Sequence, residues 1–240
     1  MDIKVFDNTD KLASYAADLF QEVIENNEHP VLGLATGASP VETYKELIKR
    51  CNEGKLSFKS VTTFNLDEYC DLPKEDKNSY YTFMMENLFD SVDIDKENVN
   101  IPDGNAENTD EYAESYDKKI EAAGGIDIQL LGIGVNGHIG FNEPSDAFSE
   151  GTHKVKLTDS TLKANSRYFT DSEMPSYALT MGVGSIMASK RIVLIATGKA
   201  KADAVYNTVK GAVTPQCPAS ILQTHKNAVL LLDRDAASKL

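Results

Sequence analysis

Residues 126–144 read IDIQLLGIGVNGHIGFNEP. The apolar run 126–133 has the composition of a buried strand, and Gly132, Gly134, Gly137 and Gly140 crowd its carboxyl end. Open α/β sheets bind ligands at that end of their strands. Glycine lets backbone approach a ligand closely, and a lone His138 in such a loop is a candidate acid/base group. Asn136 precedes it and Glu143 follows it. Gly132, Gly134 and Gly137 also fit the spacing of a dinucleotide-binding fingerprint, which requires a helix opening at the third glycine. Here Gly140 and Pro144 follow instead, and they disfavour that helix. The spacing therefore points to an active-site loop, ahead of a structural turn in which His138 merely packs and of a nicotinamide site.

The same alternation of strand and helix extends outward in both directions. Leu12, Tyr15, Ala16, Leu19, Phe20, Val23 and Ile24 recur at helical spacing, with Thr9 or Asp10 able to cap the start. A strand at 31–34 precedes Ser39-Pro40-Val41-Glu42, which reads as a capping box opening a helix to about residue 52. A strand at 61–65, a helix at 79–89, a polar loop at 98–108 and a helix at 109–122 follow. Further strands are expected at 177–181, 191–196 and 228–232, with a helix near 200–210. The pattern predicts an α/β fold: one domain over 1–240, a Rossmann-like three-layer sandwich with a mostly parallel sheet and helices on both faces. Residues 145–175 are polar and weakly periodic, and a long segment of that kind in a compact domain is expected to be a mobile lid.

Composition narrows the partners. The chain has 24 basic and 37 acidic residues, a net charge of −13, which argues against nucleic acid or an anionic membrane. A few convergent basic groups can still bind a small anion. Cys51, Cys70 and Cys217 are odd in number, widely spaced and without a zinc pattern, which suits a reducing cytoplasm. The start MDIKVFDNTDKL lacks a signal-peptide core, and no apolar run approaches ~20 residues, so neither export nor membrane insertion is expected.

Three further clusters fall at expected strand ends. Thr36-Gly37-Ala38-Ser39, between a strand and a helix, reads either as a phosphate-binding turn or as a plain N-cap. In Phe64-Asn65-Leu66-Asp67-Glu68-Tyr69, neighbouring side chains on extended backbone point oppositely. At most one of Asp67 and Glu68 then faces a pocket, while the other binds backbone or a cation. Without context, an acidic loop cluster without function is slightly favoured. Arg167, with Lys154, Lys156, Lys163, Lys199 and Lys201, supplies positive charge. Solvated surface is the default for most of these lysines. His29, His153 and His225 read as surface or packing residues.

Taken in order, TGASPVETY, FNLDEY, GIGVNGHIGFNEP, ANSR and TGKAKA resemble the glucosamine-6-phosphate deaminase (isomerising) family along nearly the whole chain. FNLDEY and GHIGFNEP are the specific motifs. The resemblance implies conversion of glucosamine 6-phosphate and water to fructose 6-phosphate and ammonium, with no redox cofactor and no catalytic metal. It implies that Asp67 is the base moving a proton between C2 and C1, and that His138, oriented by Glu143, opens the pyranose ring. Asn136 stands where some members carry an aspartate. Thr36, Gly37, Ala38 and Ser39, with Arg167 and Lys201, match the phosphate clamp. Longer relatives carry a carboxyl-terminal extension associated with hexamers and allostery, so a monomer or small homo-oligomer with hyperbolic kinetics is expected here. The enzyme rival is a 6-phosphogluconolactonase, which lacks the FNEP continuation. A sugar-phosphate sensor is the rival from another class, but no helix-turn-helix segment is visible.

Overall fold

The computed structural model describes residues 1–166, 169 and 173–240. The strands are β1 (Asp2–Phe6), β2 (Val31–Leu34), β3 (Thr62–Asn65), β4 (Asp67–Tyr69), β5 (Val99–Asn100), β6 (Ile128–Leu131), β7 (His153–Lys156), β8 (Tyr177–Thr180), β9 (Ile192–Ala196) and β10 (Ala228–Asp233). The helices are α1 (Thr9–Asn26), α2 (Val41–Asn52), α3 (Tyr80–Asn87), α4 (Thr109–Ala122), α5 (Asp159–Asn165), α6 (Val183–Met187) and α7 (Ala202–Lys210). Seven strands form one sheet in the order β1-β10-β9-β6-β2-β3-β5, parallel throughout. The other three, β4-β8-β7, make a small antiparallel sheet.

Strand periodicity divides the core into two layers. Leu32, Leu34, Ile128, Leu130, Val193 and Ile195 pack with Phe20 of α1 and with Tyr44 and Leu47 of α2. Val31, Phe64, Leu131 and Leu194 turn the other way, toward Tyr116 and Ile120 of α4 and Val205 of α7. Burial on both faces explains why these strands read as unbroken apolar runs. Polar exceptions are Thr63 and Asn65 of β3 and Gln129 in the middle of β6. A Cβ at Gly33 of the neighbouring strand would stand 2.0 Å from Gln129 Oε1, so a larger residue there would have to displace that buried side chain.

Several boundaries differ from the sequence pattern. α1 is capped by Asn8, whose side chain accepts Lys11 N at 2.9 Å, rather than by Thr9 or Asp10. α2 starts after Pro40 without any side-chain cap, so Ser39 does not close a capping box. The strand expected over 126–133 pairs only from Ile128 to Leu131. Before it, the Asp127 carboxylate accepts Val31 N at 2.8 Å and Lys190 Nζ at 2.7 Å. β8, one of the strands expected from the sequence, forms the centre of the small antiparallel sheet. The polar stretch 145–175 contains a strand and a helix, β7 and α5. Among the described residues, no helix is long and apolar enough to cross a membrane.

Candidate active site

From β2 the chain winds through β3 and β5 on one side, then returns through β6, β9 and β10 on the other. The loops after β2 and β6 therefore part at the carboxyl edge and open a crevice between them. Residues 36–39 form one wall. Gly37 holds φ at +92°, a left-handed conformation that favours glycine, and Gly37 and Ala38 are exposed. The loop after β6 is close behind, since a Cβ at Gly132 would lie 3.5 Å from Ser39 Oγ. Lys201 reaches in from the turn before α7, and its Nζ donates to the Ile133 carbonyl at 2.6 Å. Burial holds its ammonium below the usual lysine range. Thr36, Gly37, Ala38, Ser39 and Lys201 thus share one crevice; Arg167 lies outside the described residues.

The acidic pair divides its labour by strand geometry. In β4, Asp67 and Glu68 project to opposite faces. Glu68 Oε1 accepts the backbone N–H groups of Tyr69 at 2.8 Å and Tyr80 at 2.9 Å, while Oε2 accepts that of Tyr81 at 2.8 Å. It staples the amino terminus of α3 to β4, satisfying donors a helix start leaves free. Asp67 instead points at the loop carrying His138. A Cβ at Gly140 would stand 3.5 Å from Asp67 Oδ2. Burial, and then the neighbouring charge of Glu68, push the Asp67 carboxyl up to about 8.

Glycines shape the bed of His138. The imidazole lies across Gly134, where an added Cβ would come within 2.2 Å of Cε1. Gly137, at φ +86°, turns the chain just before it. His138 Nδ1 stands 3.4 Å from Glu143 Oε1. The other carboxylate oxygen of Glu143 accepts Asn136 Nδ2 at 2.6 Å, and Asn136 Oδ1 accepts His138 N at 3.2 Å. Burial opposes ionisation of Glu143, but His138, Thr161 and Asn136 outweigh it and bring the carboxyl down to about 2. The result is a permanently anionic group beside an imidazole, an arrangement that orients one ring nitrogen and leaves the other for proton transfer.

The structure therefore brings together Asp67, Asn136, His138 and Glu143, with residues 36–39 and Lys201 completing the crevice. Lys154, Lys156, Lys163 and Lys199 are exposed, as is His29. His153 and His225 are bound to the backbone carbonyls of Gly151 and Ser189 at 3.0 and 2.8 Å. Sequence reasoning missed Thr158 and Thr161, whose hydroxyls contact Glu143, and Asn165, whose Nδ2 donates to Tyr69 Oη at 3.1 Å. All three sit on or at the edge of α5, inside a stretch read as irregular. The only available signal was Thr158 as an N-cap.

A doubly wound sheet with a buried carboxylate, an imidazole facing a second carboxylate and an anion-receptive turn defines an α/β protein equipped for acid–base chemistry on a small anionic substrate. Residues 7–231 match the family described as glucosamine-6-phosphate isomerases/6-phosphogluconolactonase, and the chain belongs to that family. It is 51% identical to a glucosamine-6-phosphate deaminase of Shewanella woodyi, over all of this chain and 91% of that one. It is 48% identical to a glucosamine-6-phosphate deaminase of Clostridium botulinum, over 100% of this chain and 99% of that one. A solved structure of a monomeric glucosamine-6-phosphate deaminase superposes with a TM-score of 0.96 at 42% identity, covering 100% of both chains. A 6-phosphogluconolactonase from Thermotoga maritima shares the fold at a TM-score of 0.76 but only 18% identity, over 97% of this chain and 99% of that one.

Proposed function

We infer that the chain is an enzyme that converts D-glucosamine 6-phosphate and water to D-fructose 6-phosphate and ammonium. The observation that carries this is the meeting of Asp67 with the His138 loop at Gly140, in the crevice that also holds Lys201 and residues 36–39. The phosphate binds the 36–39 turn and Lys201, and its remote binding energy holds the sugar in register. Arg167 is assigned to the same clamp. His138, steadied by Glu143 and Asn136, moves the proton that opens the pyranose ring. Opening exposes an aldehyde at C1, which acidifies the C2 proton. Asp67, in its ionised form, then takes that proton and returns it to C1 through an enolamine. The resulting C2 imine adds water and releases ammonia, which leaves as ammonium.

The remaining assignments follow from the same framework. Residues 1–240 act as one domain, with 145–175 as a lid over the crevice; the contacts of α5 with Glu143 and Tyr69 support that placement. A monomer is favoured by the similarity to a monomeric deaminase. The net charge of −13 supports a partner set without nucleic acid. The free thiols of Cys51, Cys70 and Cys217 fit a reducing cytoplasm.

An ammonium-release assay on glucosamine 6-phosphate tests the assignment, with Asp67→Asn as control and 6-phosphogluconolactone offered separately. Ammonium from the wild-type chain, absent in the variant, is the expected result. Acid production from the lactone without ammonium release would move the assignment to lactone hydrolysis.

A further inference from the structure

Helix α5 rests on the active site at both of its ends. Thr161 donates to Glu143 Oε1, the same oxygen that faces His138 Nδ1 at 3.4 Å. Thr158 Oγ1 lies 3.3 Å from that oxygen and also caps α5 by accepting Thr161 N at 3.3 Å. At the far end of the helix, Asn165 donates to the Tyr69 hydroxyl, two residues beyond Asp67. Leu162 of the helix, with Leu157 before it and Phe169 after it, packs with Tyr69 and Phe141. The short α5 therefore touches both halves of the site, the carboxylate of the acid–base pair and the strand that bears Asp67.

The geometry at Oε1 shows what the contact does. A carboxylate oxygen offers about two lone-pair directions. Thr161 occupies one, Thr158 stands near the other, and the imidazole is left at 3.4 Å, beyond a good N–H···O length. Asn136 fixes the second oxygen at 2.6 Å, so the carboxylate cannot simply rotate to favour the ring. We propose that Thr161 is a positioning residue for the acid–base pair: its hydroxyl fixes the Glu143 oxygen that faces His138 and so ties the seating of α5 to the active site. Its role in turnover rests on the deaminase assignment; the positioning itself does not.

The sign of the effect follows from charge. A hydroxyl bonded to Glu143 draws off part of the negative charge that would otherwise stabilise imidazolium. Among the described residues, the titratable groups around His138 are Glu143 on its own loop, Asp67 of β4 across Gly140, Lys201 at the Ile133 carbonyl and Cys217 behind Gly137. Thr161→Val, nearly isosteric, removes only the hydroxyl. The charge on Glu143 is then less shared, and the pull of that oxygen on the imidazole is stronger.

The test is an NMR titration of the His138 ring, run beside steady-state kinetics, on wild type, Thr161→Val and Thr161→Ser. The Val variant is expected to titrate differently from wild type. It should also lose roughly tenfold in kcat with KM within about twofold, the pattern of an interaction lost at the reacting groups. Thr161→Ser, which keeps the hydroxyl, should recover both values. In a Glu143→Gln background the Val substitution should add no further shift to His138. A Val variant titrating like wild type, a Ser variant shifting as far as Val, or an undiminished shift in the Glu143→Gln background would overturn the proposal. Thr161→Ala read by the same titration covers the case in which Val disturbs folding. Absence of ammonium from the wild-type chain together with a shifted His138 would sink the deaminase assignment and leave the positioning role standing.

Discussion

Asp67 and Gly140 face each other so closely that a single methyl group on the glycine would stand 3.5 Å from the aspartate oxygen Oδ2. This contact joins two separately built parts: a carboxylate carried by the small antiparallel sheet and a loop springing from the large parallel one. Gly140 at φ +56° lets the loop bend into that position.

The buried Asp67 sets a pH dependence for both turnover and stability. Its carboxyl is raised from 3.8 to about 8, so the empty site holds it protonated at neutral pH. Because kcat/KM reports the free enzyme, it should rise with pH toward a midpoint near that value. The folded state binds more protons than the unfolded chain between about 4 and 8, so Asp67 lowers stability progressively as pH rises through that window. Asp67→Asn should therefore abolish ammonium release yet raise stability by a few kcal/mol at pH 8, with no gain at pH 4. Thermal unfolding at the two pH values checks it; equal effects at both would contradict a raised carboxyl.

Glu68, its neighbour, should behave in the opposite sense. Truncation by Glu68→Ala strands three backbone donors, those of Tyr69, Tyr80 and Tyr81. A loss of about 3 kcal/mol is expected from denaturant unfolding, as for buried donors left without partners. A variant as stable as wild type would mean that water replaces the carboxylate without cost.

Gly134→Ala separates fold from chemistry. The new methyl would meet the His138 ring at 2.2 Å, and a side-chain end can swing aside where backbone cannot. Stability should change by less than about 1 kcal/mol, while kcat falls about 10²-fold because a misplaced acid–base group loses its alignment. Wild-type turnover in this variant would show that His138 does not need its present seat.

Asn136→Asp replaces the amide that donates to Glu143 at 2.6 Å with a second carboxylate. Two acids at that separation share a proton on acidification, and their combined charge favours imidazolium at His138. Activity should persist, with a pH profile of kcat/KM that differs from that of the wild-type chain. An unchanged profile would count against any role for residue 136 in the relay.

Much of this was legible in the sequence, and the exceptions have physical causes. The apolar strands β2, β6, β9 and β10 announce themselves because burial on both faces removes alternation. The division between Asp67 and Glu68 followed from strand geometry, although which residue did which job needed the partners Tyr80 and Tyr81, twelve and thirteen residues away. β4, β5 and β7 were hidden because they are short and polar, and their pairing is decided by distant neighbours. The reading of Ser39 as a cap failed for a local reason: α2 begins one residue later, at Val41. Thr161 left no trace at all, since its importance lies in a contact 18 residues back along the chain.

The division of the site between two sheets has a practical consequence. β4 is three residues long, and its ladder joins it to β8 alone, in a three-stranded sheet whose edge strand β7 is half-exposed. Regions of that kind open locally at far lower cost than a seven-stranded core. Warming or dilute urea should thus silence the protein as a catalyst while its bulk circular dichroism still looks native. A preparation judged only by its spectrum would be counted sound after its chemistry had already gone.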